Sequence, residues 1–165
     1  MSGSSRARSG RASDIDELVP TERAAAARAR RARRSSGMRI SEPRSVVVVE
    51  DDADLRAIYR EMLERDGWEV RVFENPDDAL RAIVARLPHV VLTDVNLNGQ
   101  SGRELARTLR SDERTAGLAI VAASGSVIPT TPLLRMFDTF LRKPVDVTTL
   151  GAVLREVVDR RFAMD

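Results

Sequence analysis

Three acids in a row, Glu50, Asp51 and Asp52, end the apolar run Val46–Val49. One acid there would read as a helix cap. Clustered acids repel one another and lose solvation as they approach. A hard divalent cation removes both penalties, and Mg²⁺ takes oxygen ligands in an octahedron while keeping several waters. Glu50, Asp51 and Asp94, which ends a second apolar run, are the candidate ligands. A backbone carbonyl from the loop after Asp94 is a candidate for one more. Beside such a cation, the ammonium of Lys143 and the hydroxyl of Ser124 suit an anion. Together they could clamp the oxygens of a transferring phosphoryl group. Asp94 would be the nucleophile, because carboxylates form acyl phosphates and need no general base at neutral pH. The chain has one histidine and no cysteine. Disulfides and thiolate metal sites are therefore excluded, and zinc and copper have no obvious ligand set.

Taken singly, each residue has a plainer explanation. An acid after a strand often caps a helix, Ser124 fits a turn, and Lys143 before Pro144 fits a solvated position. What gathers them is the alternation of elements. The run "VVVV" (46–49) reads as a buried strand, followed by a helix with Leu55, Ile58, Met62 and Leu63 at helical spacing and Gly67 as its stop. "WEVRVF" (68–73) is a strand. Asn75 and Pro76 cap and open a second helix. "HVVLTD" (89–94) is a strand, and Ser101 with Glu104 forms a capping box for a third helix. "LAIVAAS" (118–124) is a strand, "TPLLRMF" a short and weakly signalled helix, and "TFLRKP" ends a fifth strand. "VTTLGAVLREVVDRRF" is the last helix.

This pattern predicts an α/β fold, an open five-stranded, mostly parallel sheet with helices on both faces. Crossovers are right-handed, and sites lie beyond the carboxyl ends of the strands. Glu50, Asp51, Asp94, Ser124 and Lys143 all fall there. His89 starts a strand on the opposite side and reads as structural. Trp68 and Tyr59 read as packing residues, and Asp77, Asp78 and Asp112 as caps or solvated positions.

The charge is uneven. Residues 1–44 hold eleven arginines against five acids, and residues 45–165 hold the remaining sixteen basic and twenty acidic residues. We take 1–44 as a basic extension, disordered or marginally helical, and 45–165 as the domain. Within the extension, residues 1–13 are small, polar and basic, whereas residues 14–34 are rich in alanine and arginine, both good helix formers, with Thr21 as a cap. Such a helix has almost no large apolar side chain to bury and would be marginal alone. No apolar run approaches the roughly 20 residues that span a bilayer. No secretory signal is recognisable, so a soluble, cytoplasmic protein without membrane insertion is expected.

The same motifs, in this order and spacing, resemble the receiver domain of bacterial two-component response regulators over residues 45–165. "VVVVEDD" is similar to the family's first strand and acidic pair, and "VVLTDVNLNGQSG" to its phosphoacceptor strand and loop. "IVAASG" is similar to its fourth strand, with the Ser/Thr position at Ser124. "FLRKP" is similar to its fifth, with the invariant lysine at Lys143 and Pro144 after a cis peptide bond. The resemblance implies a (βα)5 flavodoxin-like receiver fold. It implies Mg²⁺ held by Glu50, Asp51, Asp94 and the backbone carbonyl of Asn96, and phosphorylation of Asp94 by a histidine kinase or histidine phosphotransfer protein. It implies a switch formed by Ser124 and Phe140. Enzyme activity beyond phosphotransfer to its own aspartate and autodephosphorylation is not implied. Small residues near Asp94 (Asn96, Gly125 and Ser126) predict open access for water.

Asn98 stands where the family usually has proline, and Gln100 where methionine is common. The stretch from Ser124 to Lys143 is short for the family, which predicts a short or displaced fourth helix. No output domain follows, so a single-domain regulator acting on a downstream protein by protein contacts is expected. A phosphorylation-independent adaptor receiver is the alternative. A hydrolase of similar chemistry would need a cap, for which no insertion is long enough. Nucleic acid binding through the arginine-rich extension has no zinc finger, helix-turn-helix or aromatic-basic motif to support it.

Overall fold

The computed structural model describes residues 43–126 and 130–163. The predicted helix of the extension and its cap Thr21 lie outside the described residues, as does part of the loop after Ser126. The elements run β1 (Ser45–Val49), α1 (Ala53–Arg65), β2 (Glu69–Phe73), α2 (Pro76–Ala85), β3 (Val90–Asp94), α3 (Gly102–Ser111), β4 (Ala119–Ser124), α4 (Thr131–Met136), β5 (Thr139–Arg142) and α5 (Val147–Phe162). All strand pairs of the main sheet are parallel, in the order β2-β1-β3-β4-β5.

β1 is central and buried at every position. Its valines divide between two cores because successive side chains point to opposite faces. Val46 and Val48 join Tyr59 and Leu63 of α1 and Leu150, Leu154 and Val157 of α5. Val47 and Val49 join Ala79 and Ile83 of α2, Leu105 and Leu109 of α3 and Leu133 of α4. Burial on both faces explains why the strand reads as an unbroken apolar run. Each such valine contributes about 1.5–3 kcal/mol.

Four of the five helices start on a side-chain cap. Asp52 accepts from the Asp54 and Leu55 N–H groups, Asn75 from Asp78, Ser101 from Arg103 and Asp146 from Thr148. Such caps contribute about 1 kcal/mol each. α4 is the exception, with six residues and no capping hydrogen bond from Thr130. The short fourth helix expected from the sequence is present.

Two features differ from the sequence expectation. Ile58, which helical spacing puts on the packed stripe, is 43% exposed, whereas Tyr59 is buried at 2% as a packing residue should be. Both phases satisfy helical spacing, and only the docking of α1 on the sheet selects one. The loop after Asp94 also contains a two-residue antiparallel ladder, Asn96–Leu97 with Gln100–Ser101. Gly99 makes its turn at φ 70. The Asn98-Gly99 dipeptide is a strong hairpin signal that the strand pattern alone passes over.

Candidate functional site

The strand order reverses between β1 and β3, and the crevice at that point is where an open α/β sheet places its site. Glu50 follows β1, with its N–H donating to Phe73 O at 3.1 Å. Asp94 is the last residue of β3, Ser124 the last of β4, and Lys143 follows β5. Parallel pairing of all five strands brings these carboxyl ends to one edge, as the alternation predicts.

Candidate ligand atoms of Glu50, Asp51 and Asp94 lie within 4.8 Å of one another. Lys143 Nζ bridges two of these acids, donating to Glu50 Oε2 at 2.7 Å and Asp94 Oδ2 at 2.6 Å. Backbone N–H groups hold three more of these oxygens. Asp52 N–H donates to Glu50 Oε1 at 3.2 Å, Asn96 N–H to Asp94 Oδ1 at 2.9 Å, and Asn98 N–H to Asp51 Oδ2 at 3.2 Å. Asn98 thus contributes through its backbone, positioned by the small hairpin. Gln100 Nε2 donates to Asp77 Oδ2 at 3.1 Å and ties that hairpin to α2.

Glu50 is 1% exposed. Burial pushes its carboxyl above the usual range, against the pull of Lys143 and the Asp52 N–H. For Lys143 burial disfavours the charged form, but hydrogen bonds to Asp94 and Glu50 outweigh it and the ammonium is held above its ordinary value. One ammonium faces three carboxylates, so the ionised cluster keeps two uncompensated negative charges. A divalent cation matches that charge, and the all-oxygen donor set suits Mg²⁺.

Ser124 is 7% exposed, and its Oγ accepts from Ser126 N–H at 3.4 Å. Phe140 does not join the acid cluster. It is half-buried in the core under α2, α3 and α4, edge-on to Phe137 with ring centroids 5.2 Å apart. The Lys143–Pro144 peptide bond is cis. His89 lies at the opposite edge, where its Nδ1 accepts from Ser45 N–H at 3.0 Å.

Two contributors were not singled out from the sequence. Arg56 Nη1 donates to the carbonyls of Glu50 and Asp51, at 2.7 and 2.9 Å, and fixes the backbone of the acidic turn. Nothing local distinguishes it from the other arginines of α1. Gly102 opens α3 against β3, and a Cβ there would overlap Asp94 O and come within 2.8 Å of Thr93 Oγ1. Its signal was a glycine at a helix's first position, where most residues are tolerated.

Residues 46–155 match the family described as the response regulator receiver domain. The chain is similar to the phosphate regulon transcriptional regulatory protein PhoB of Pseudomonas aeruginosa, at 34% identity over 120 residues, covering 71% of this chain and 52% of that protein. It is similar to the transcriptional regulatory protein CseB of Streptomyces avermitilis, at 32% identity, covering 74% and 52%. The chain thus spans about half the length of these curated relatives. A sensor protein from Polaromonas sp. JS666 has a similar structure, with a TM-score of 0.67 and 30% identity, covering 72% of this chain and 98% of that one. So does a CheY-like response regulator receiver domain from Methylobacillus flagellatus, with a TM-score of 0.63 and 30% identity, covering 70% and 98%.

Proposed function

Because the chain belongs to the response regulator receiver domain family, we propose that it is a phosphorylation switch in two-component signal transduction, with Asp94 as the acceptor. The observation that carries this is the Lys143 bridge between Glu50 and Asp94 inside a three-carboxylate cluster. Glu50, Asp51, Asp94 and the Asn96 carbonyl would hold Mg²⁺, which supplies charge neutralisation and orientation for the phosphoryl oxygens.

Asp94 offers a carboxylate oxygen to the phosphorus of a phosphohistidine on a kinase or phosphotransfer protein. A new O–P bond forms, the N–P bond breaks, and its electron pair returns to the donor imidazole. No base is required, because the nucleophile carries no proton. Lys143 then pairs with the phosphoryl oxygens, and the Ser124 hydroxyl donates to them in a charge-assisted hydrogen bond stronger than a neutral one. That pull acts on the loop after Ser124, and Phe140 responds by repacking its ring. Exposed Gly125 and Ser126 leave water a route to the acyl phosphate, which supports autodephosphorylation. The output is a contact with a downstream protein.

Intact mass after incubation with a small phosphodonor and Mg²⁺ tests the assignment. The chain should gain one phosphoryl group and Asp94→Asn none. Full labelling of Asp94→Asn would sink the acceptor assignment. An unlabelled native chain would favour the phosphorylation-independent adaptor, to which the six-residue α4 lends some support.

A further inference from the structure

Most described arginines hold a carboxylate or a carbonyl oxygen. Arg65 pairs with Glu61, Arg86 with Glu69 and Arg114 with Asp112. Arg56 and Arg71 donate to backbone carbonyls. Arg103, Arg107 and Arg135 have no ion pair or side-chain hydrogen bond among the described residues. Arg142, which ends β5, is the other such arginine.

Arg103 and Arg107 share one side of α3 with Arg110, at spacings of four and three residues. α3 packs against α4. A groove of about 460 Å³ lies between them, lined by Arg107, Arg110, Thr131, Pro132, Arg135 and Met136. Arg107 stands on its α3 wall and Arg135 on its α4 wall, and both are exposed. Arg110 is already committed. It pairs with Asp138 at 2.9 Å and donates to Met136 O at 3.1 Å, which ties the two helices together at one end of the groove. No acid is among the lining residues. Between the two guanidinium groups the walls are the Pro132 ring, the Met136 side chain and the aliphatic stems of the arginines. The volume is that of a site for a small cluster of groups.

We propose that the groove between α3 and α4 is a docking site for an acidic, amphipathic segment of a partner protein. An apolar side chain of that segment lies on Pro132 and Met136, and its carboxylates pair with Arg107 and Arg135. Guanidinium groups suit this task, because their fork of donors matches a carboxylate in two parallel hydrogen bonds. A small free anion would satisfy the cations but leave the apolar floor uncovered. Residues 45–165 carry sixteen basic and twenty acidic residues, so two uncompensated cations across one groove stand out on an acidic domain. An acidic partner is repelled by most of that surface and steered to this part of it. Residues 1–44, with eleven arginines against five acids, have the wrong charge to fill the groove. Docking here requires no phosphoryl group on Asp94, because no lining residue belongs to the acid cluster.

Short random peptides displayed on phage and selected on the full-length protein test the site. Peptides with a large apolar residue flanked by acids should be enriched. Synthetic copies should bind the double variant Arg107→Glu, Arg135→Glu about tenfold more weakly than the native chain, since two attractions become repulsions. The double variant keeps the arginine-rich residues 1–44, so their own pull on acids is the same in both proteins. Both side chains are exposed and make no internal contact that charge reversal would break, so Tm should not change. Arg142→Glu removes an exposed cation outside the groove and should leave the affinity nearly unchanged. Raised salt should weaken the native complex, and a peptide whose apolar residue is replaced by serine should bind poorly. Enrichment of no such peptides would overturn the proposal, as would equal affinities for the native chain and the double variant. An equal loss in Arg142→Glu would overturn it too, because net charge and not the groove would then select the peptides. A single-stranded oligonucleotide that loses the same factor in the double variant would make the groove a phosphate site and overturn the acidic segment. Self-association of the native chain that the double variant lacks, read by sedimentation, would make a second copy the occupant and overturn it as well.

Discussion

Gly102 has no room for a methyl group, because β3 runs past its α-carbon and the obstructing atom is the backbone carbonyl of Asp94. A carbonyl in a central strand cannot swing aside as a long side chain would. Gly102→Ala should therefore cost about 1–3 kcal/mol in urea unfolding, the range for overpacking a filled interior. It should also weaken Mg²⁺ binding, since Asp94 must move. Gly117→Ala, where nothing lies within 4 Å, serves as the control and should leave both nearly unchanged. Tyr59 offers a second test at this scale, being the only tyrosine in the chain. Burial pushes its phenol up to about 12, with Lys143 pulling against it and nearby acids adding to it. The folded state holds this proton longer than the unfolded state does, so the contribution is complete below pH 10 and is lost as pH rises through 12. It amounts to about 3 kcal/mol. Tyrosinate absorbance should titrate near pH 12 in the native protein and near 10 in denaturant. A native midpoint near 10 would contradict the burial of Tyr59.

Asp138 joins three elements through one carboxylate. It pairs with Arg110 of α3 at 2.9 Å and Arg161 of α5 at 3.0 Å, and it accepts from Ile120 N–H of β4 at 2.7 Å. It sits between α4 and β5, so the C-terminal end of α4 is clamped. Arg110 also donates to the carbonyls of Met136, Ala116 and Leu118. In the proposed switch, movement that starts at Ser124 would therefore fall on the other end of α4, where Thr130 provides no capping bond. Asp138→Ala strands a mostly buried guanidinium and should cost about 3 kcal/mol in denaturant unfolding. Glu61→Ala removes an exposed i,i+4 pair with Arg65 and should cost under about 0.5 kcal/mol. Equal costs would mean that the clamp is no more than a surface pair. At the same scale, the caps Asn75 and Ser101 were legible because their hydrogen bonds close within three residues. The Asp138 clamp was not, because its partners lie 28 and 23 residues away in sequence.

Across the whole molecule, the proposed metal site would couple cation binding to stability through the acid cluster. Two uncompensated charges oppose the metal-free fold, and a cation that binds only the native state stabilises it by about 2.7 kcal/mol at a hundred times its dissociation constant. Low-millimolar Mg²⁺ should therefore raise Tm, by roughly 3–5 °C for each kcal/mol in a domain of this size. Asp51→Asn should lose most of that rise and be more stable than the native chain without metal. A full Mg²⁺ response in Asp51→Asn would remove Asp51 from the ligand set. The sequence by itself determined five strands, their helices and the edge on which Glu50, Asp51, Asp94, Ser124 and Lys143 stand. It could do so because strand and helix periods are local, and parallel connections deliver every strand's carboxyl end to the same side. The tertiary structure decided the rest. The Lys143 bridge spans 93 residues to Glu50 and 49 to Asp94. The Arg56 contact, the exposure of Ile58 and the close approach at Gly102 depend on how each helix docks on the sheet. Register and docking are set by packing between distant segments, which no local pattern encodes.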